Sequence, residues 1–304
     1  MVKLEKILCP VDFSDFSRDA LDHAVALTKW YGGRLTVMHV VPTPTMPMPV
    51  AGGLVDSATL PPSVNTDAIA KELSRWAQAS IDSSDLRMDA LVASGLAAIE
   101  IARQAKLLSA DLLVLGTHGR SGFQRLFLGS VTEKLLRTTT VPIMTIPPPV
   151  RKPESIRFKT ILCPVDFSAE SMRALDYGLS LAKEADARII LLHVVEGFVD
   201  TPYANEFRHL SVVEYYEQIE VDAAKRLAAA VPIDARTWAQ PVERVITGRV
   251  YQQILKMAED ERAELIVMGV RGRGAVDRFI FGSNTDHVIR GASCPVLTLH
   301  SDKR

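Results

Sequence analysis

The chain has 304 residues, enough for about two domains of roughly 150 residues each. Its 47% hydrophobic and 23% charged residues are those of a globular protein, and 35 basic against 36 acidic side chains leave a net charge of -1, which argues against a broad electrostatic grip on nucleic acid or on an anionic membrane. Three cysteines without a C-x-x-C pair argue against a disulfide framework and a cysteine zinc site, and point to a reducing, cytoplasmic setting.

The first residues, MVKLEKILCPVDF, carry Lys3, Glu5 and Lys6 and do not read as a signal peptide. Lys6–Pro10 reads as a short apolar strand. Ser14–Tyr31 has helical periodicity, with Phe13 and Ser14 read as a staple and cap in front of it. Arg34–Val41 is a β-branched strand ending at Pro42. The apolar stretch Val37–Val55 is broken by Pro42, Pro44, Pro47 and Pro49 and does not read as a membrane helix. A helix over Asp67–Ser80, a strand over Leu86–Ser94, a helix over Ala97–Leu108 and a strand over Asp111–Gly116 follow. A glycine-rich loop then leads into a helix from Ser130 to Arg137, and Val141–Ile146 closes this half. In the second half, helices are expected over Ala169–Glu184, Val212–Ala230, Gly248–Glu261 and Ser283–Arg290. Apolar strands alternating with helices imply an α/β fold whose parallel sheet is covered on both faces.

The chain is a duplication. ILCPVDFS occurs at Ile7–Ser14 and again at Ile161–Ser168, and GTHGRSGFQRLFLGS (Gly116–Ser130) aligns with GVRGRGAVDRFIFGS (Gly269–Ser283). The offset is 154 residues early and 153 late. Domains are therefore expected at 1–147 and 158–304, with a stiff linker at 148–157. Ligands of such sheets bind beyond the carboxyl ends of the strands, where the strand order reverses. The repeated residues fall there: Asp12 and Asp166 after the first strand, Val40 and Val194 near the end of the second, Gly116 and Gly269 at the end of the fourth.

Both halves then carry G-x2-G-x9-G-S: Gly116, Gly119, Gly129 and Ser130, matched by Gly269, Gly272, Gly282 and Ser283. A glycine at a strand end lets a ligand approach the backbone. A Gly-Ser pair at a helix start offers unpaired N–H groups and the positive helix end to an anion. This reads as a phosphate cradle, although the same glycines could serve only as tight turns. A P-loop, a G-x-G-x-x-G after a strand and a G-x-S-x-G elbow are missing.

The pattern P-x-D-x-S after the first strand, H-V after the second and G-x2-G-x9-G-[ST] after the fourth resembles the universal stress protein family, in its tandem form. That resemblance implies two Rossmann-like domains of the adenine nucleotide alpha hydrolase type. Each has a five-stranded parallel sheet of order 3-2-1-4-5, helices on both faces, and ATP in the crevice. It puts Asp12 and Val40 at the adenine and ribose end of the first half, and Gly116, Gly119, Gly129, Ser130 and Val131 along the ribose and phosphates. In the second half the matching positions are Asp166, Val194, Gly269, Gly272, Gly282, Ser283 and Asn284, where Asn284 replaces a valine. Magnesium would come with the ATP phosphates. The two halves are expected to pair through their last strands as an intramolecular pseudo-dimer, with a further homodimer left open.

Weaker signals carry two readings each. Arg120 and Arg273 clamp phosphate or are solvated loop charges, as do Arg125 and Arg278. His118, inside the first glycine loop, reads as a base or as a polar neighbour of the ligand, and the second half has Arg271 there. Cys9 and Cys163 read as buried core residues, and His39 and His193 as satisfied histidines at strand ends. Pro42–Asp67, rich in proline and methionine, is a loop excursion, a lid or a partner surface, and the matching stretch Glu196–Ser211 is shorter and more aromatic. The functional expectation is an ATP-binding stress-response protein acting through nucleotide-dependent conformation or association. The alternatives are a slow ATPase or other adenylyl-centred enzyme, and a scaffold with a vestigial site.

Overall fold

The computed structural model describes residues 2–42, 65–81, 86–117, 128–148, 158–196, 210–239, 241–271 and 282–300. The first half runs β1 (Lys6–Pro10), α1 (Asp15–Tyr31), β2 (Arg34–Val41), α2 (Thr66–Gln78), β3 (Arg87–Ser94), α3 (Ala97–Leu107), β4 (Leu112–Gly116), α4 (Ser130–Thr138) and β5 (Ile143–Ile146). The second runs β6 (Thr160–Pro164), α5 (Ala169–Ala185), β7 (Arg188–Val195), α6 (Leu210–Ala230), α7 (Ile233–Trp238), β8 (Val242–Thr247), α8 (Val250–Asp260), β9 (Leu265–Gly269), α9 (Ser283–Gly291) and β10 (Val296–Leu299). The short helix α7 has no counterpart in the sequence reading. It begins behind Pro232, whose fixed φ suits a helix start, with Asp234 in its first turn.

All ten described strands lie in one sheet, in the order β3-β2-β1-β4-β5-β10-β9-β6-β7-β8. Each half thus has its strands in the order 3-2-1-4-5, paired in parallel throughout. The halves meet at the last strands, where β5 and β10 pair antiparallel with Leu297 opposite Met144. Thr145 Oγ1 donates to the Val296 carbonyl at 3.2 Å and Thr298 Oγ1 to the Ile143 carbonyl at 3.1 Å, so the buried hydroxyls of this seam are satisfied across it.

Strand alternation sorts the apolar side chains into two cores, one on each face of the sheet, and each core runs through both halves. Met144, Ile146, Leu297 and Leu299 join one core with residues of α1 and α5, while Ile143 and Val296 join the other with residues of α4 and α9. Polar contacts tie α1 and the N-terminal segment to α5. Tyr31 donates to Glu184 at 2.5 Å, and the Val2 N–H donates to Ser180 Oγ at 2.9 Å. The linker 148–157 lies almost wholly outside the described residues, as does most of the Pro/Met-rich segment.

Candidate functional site

Each half reverses its strand order at its first strand, with β1 between β2 and β4, and β6 between β7 and β9. The connections leaving those strands go to opposite faces and open a crevice at their carboxyl ends. The turn after β1 is built by its own side chains. Asp12 Oδ1 accepts from the Ser14 N–H at 3.1 Å and the Ser14 hydroxyl at 2.5 Å, and Ser14 Oγ accepts from the Ser17 N–H at 3.2 Å to cap α1. Asp166, Ser168 and Ser171 repeat this at 3.0, 2.6 and 3.2 Å. One oxygen of each carboxylate is thereby fixed in the turn.

The turn forces Phe13 and Phe167 into left-handed backbone, at φ 64 and 63. That conformation is costly for a side chain with a Cβ and persists only where the surroundings impose it. Phe13 packs against His39 with ring centroids 4.7 Å apart, and against Trp76 of α2. His39 Nδ1 donates to the Val11 carbonyl at 2.8 Å, and His193 Nδ1 to the Val165 carbonyl at 2.6 Å. These histidines lock the ends of β1 and β6 to β2 and β7. The outer covers differ: Arg18 lies 3.5 Å over Trp76 in the first half, and Arg226 lies 4.1 Å over Phe167 in the second.

On the other side of the crevice, Gly129 and Gly282 cap α4 and α9 without a side-chain hydrogen bond to the first turn. The N–H groups of Ser130 and Val131, and of Ser283 and Asn284, belong to first turns, where helices leave donors unsatisfied. Two stitches hold each helix start against its strand. Gly129 N donates to the Thr117 carbonyl at 2.8 Å and Gly282 N to the Val270 carbonyl at 3.3 Å. Thr132 Oγ1 donates to the Gly116 carbonyl at 3.0 Å, and Thr285 Oγ1 to the Gly269 carbonyl at 3.2 Å.

In the second half these parts surround a cavity of about 620 Å³, within the range of small-molecule sites. Asp166, Val194, Gly269, Gly282, Ser283 and Asn284, all expected from the sequence, line it. Gly119, Arg120, Gly272 and Arg273 lie outside the described residues, as do His118, Arg125 and Arg278. Sequence reasoning missed Ile219 on α6, Val250 and Ile254 on α8, and Glu196 after β7. Val250 and Ile254 are four apart, so helical spacing puts them on one face, but only the fold shows which crevice that face meets. Gly269 also meets a packing demand that the sequence reading did not include. A Cβ there would stand 2.8 Å from Glu170 Cβ and 2.9 Å from the Ser171 nitrogen, so this glycine admits the first turn of α5.

Comparison with known proteins gives one answer. The profile of the universal stress protein family matches residues 3–147 and, separately, 157–300. A universal stress protein of Methanocaldococcus jannaschii is 30% identical over 158 residues, covering 51% of this chain and 89% of the relative. A universal stress protein of Thermus aquaticus is 35% identical over 142 residues, covering 46% of this chain and 97% of its own. The crystal structure of a universal stress protein from Archaeoglobus fulgidus superimposes with a TM-score of 0.66, covering 99% of this chain and 100% of that one, and at 21% identity speaks for the fold alone. A repeated Asp-Phe-Ser turn, a repeated glycine-capped helix facing it and a family match in each half lead to one conclusion: the chain belongs to the universal stress protein family and carries the family domain twice.

Proposed function

We propose that each half binds one molecule of ATP with its magnesium, and that the bound nucleotide sets the conformation or association state of a cytoplasmic stress-response protein. The carrying observation is the polarity of the second-half cavity. At one side are the first-turn N–H groups of α9 at Ser283 and Asn284, with Arg271 beside them, suited to phosphate. Asp166 stands at the middle strand as an acceptor for donors of the base or ribose. Val194, Val250, Ile254 and Met268 form apolar walls for a ring. This order of anion seat, acceptor and apolar slot suits a nucleotide. Among the described residues no three His, Cys, Asp or Glu side chains stand together as a metal site, so magnesium would be held by phosphate oxygens and water.

In the first half, Asp12, Val40, Gly116, Gly129, Ser130 and Val131 stand at the corresponding sheet edge, and the same occupant is assigned there. Calorimetry on protein stripped of nucleotide tests the reading. Binding of MgATP with one site per half is expected, and the absence of heat overturns it. Light scattering with and without ATP tests the output: an unchanged mass together with an unchanged hydrodynamic radius refutes a switch of conformation or association.

A further inference from the structure

We propose that Glu196 is a specificity residue of the second-half cavity, whose carboxylate accepts a hydrogen bond from a hydroxyl or amino group at the nucleoside end of the ligand and so makes the two halves unequal. The inference rests on the reading that this cavity takes a nucleotide.

Glu196 is the first residue after β7, is exposed at the cavity mouth, and lines the cavity. The strands beneath it are ordered β9, β6, β7. The anion seat belongs to β9 and α9, Asp166 follows β6, and Glu196 follows β7. Neighbouring strands lie about 4.8 Å apart, so Glu196 stands roughly 10 Å from the phosphate side, with Asp166 between. A nucleotide with its phosphates on α9 therefore brings its nucleoside toward Glu196. An ionised carboxylate only accepts hydrogen bonds. A Glu196 carboxylate at the cavity calls for a donor group on the ligand. The adenosine part of ATP has three such groups: the 2′-hydroxyl, the 3′-hydroxyl and the exocyclic amine. An acidic residue beyond the second strand of an open α/β sheet is also where dinucleotide folds hold a ribose hydroxyl. This chain reaches that arrangement without their glycine fingerprint. The exposed mouth screens repulsion between Glu196 and the phosphates.

The duplication supplies the internal control. Val195 matches Val41, so Glu196 matches Pro42, which offers neither a side-chain acceptor nor an N–H. The α8 wall residue Val250 likewise matches Ala97. The first half shares the turn and the capped helix but has no carboxylate at the matching position, Pro42.

The test uses the full chain in two backgrounds, Gly129→Asp to leave the second half alone and Gly282→Asp to leave the first. Each is titrated with MgATP, its 2′-deoxy and 3′-deoxy analogues, and the purine riboside triphosphate that lacks the amino group. In the Gly129→Asp background, Glu196→Ala is expected to weaken ATP about ten-fold, and at least one analogue to bind about ten-fold more weakly than ATP, on the scale of a hydrogen bond to a charged group. The decisive result is that this analogue loses nothing further when Glu196→Ala is added. A deoxy analogue that behaves so places the bond on the sugar, and the amine-lacking analogue places it on the base. In the Gly282→Asp background Glu196→Ala should leave ATP affinity unchanged. Unaltered ATP affinity in Glu196→Ala, or analogue penalties that persist in it, overturns the inference. No ATP binding to the unsubstituted chain would instead overturn the nucleotide reading itself.

Discussion

Gly269 and Gly282 come from one stretch of sequence and meet different demands. At Gly269 a Cβ would press on the α5 backbone, so Gly269→Ala is expected to destabilise the protein by roughly 1–3 kcal/mol, measured by urea unfolding. Gly282 has an ordinary φ of -62, and its Cβ would meet the Val270 oxygen at 3.1 Å and Thr285 Oγ1 at 3.3 Å, so a side chain there needs these neighbours to shift by a few tenths of an ångström, far less than at Gly269. Gly282→Asp should therefore leave the fold standing, helped by an acidic side chain at a helix start. It should still abolish ATP binding in the second half, because two charges 4 Å apart repel by about 4 kcal/mol at an effective dielectric of 20. Calorimetry on Gly282→Asp and Gly129→Asp checks this, and wild-type affinity in both would mean that the phosphates lie elsewhere. The pattern G-x2-G was legible in the sequence. Which glycine serves packing was not, because the Glu170 and Ser171 atoms that exclude a Cβ come from a helix about a hundred residues away in the chain.

Among the elements, the caps of α1 and α5 join helix stability to the site. Ser168 accepts from the Ser171 N–H and donates to Asp166, so one hydroxyl both starts α5 and aims the carboxylate. Ser168→Ala is expected to cost about 1 kcal/mol of stability. It should also weaken ATP in the second half, whereas a cap with no link to the site would change unfolding alone; parallel denaturation and calorimetry separate the two. The cap was readable at Ser14, a serine directly ahead of a helical period, and the copied octapeptide carries it to Ser168. The left-handed Phe167 between Asp166 and Ser168 was not, because local rules disfavour that conformation for phenylalanine and only the closed turn and the His193 ring enforce it. The start of α8 shows the same limit. Helical periodicity reached back to Gly248, but that residue sits at φ 153 and the helix opens at Val250.

On the scale of the whole molecule, the continuous sheet makes the halves depend on each other. Separately produced halves would each expose an apolar strand, β5 or β10, with unpaired N–H and C=O groups. They are expected to associate into a stable complex when mixed, seen by light scattering, and two indifferent monomers would contradict this. The seam also holds a titrating group. His300, 8% exposed, donates to the Leu136 carbonyl in the last turn of α4. Burial, reinforced by Arg271 and Arg173 and opposed by the Leu136 bond and Glu170, pushes its pKa down to about 4. The unfolded chain takes up this proton near pH 6.5 and the folded protein only near 4. Stability is therefore intact above about pH 6.5 and falls as the pH drops toward 4, by roughly 3 kcal/mol over that window. His300→Gln should flatten this part of the stability profile, measured as the difference from the parent chain so that the buried His23 cancels.

The sequence by itself determined the repeated unit, the alternation of strand and helix, the residues at the strand ends and the family. Each of these rests on short-range information: an octapeptide copied whole, apolar periods, and caps that lie within a few residues of the helices they start. The tertiary structure decided what joins distant segments. The pairing of the two last strands was expected, but its register was not: the structure sets Leu297 opposite Met144 in an antiparallel ladder that satisfies the backbone groups of both edges. Glu196 and Ile219 enter the cavity because β7 is carried beside β6 and α6 packs on β7, and Gly269 is kept small because α5 crosses its strand end. No local signal marks such positions, since the burial, clash or charge that gives each its role is supplied by residues far away in the chain.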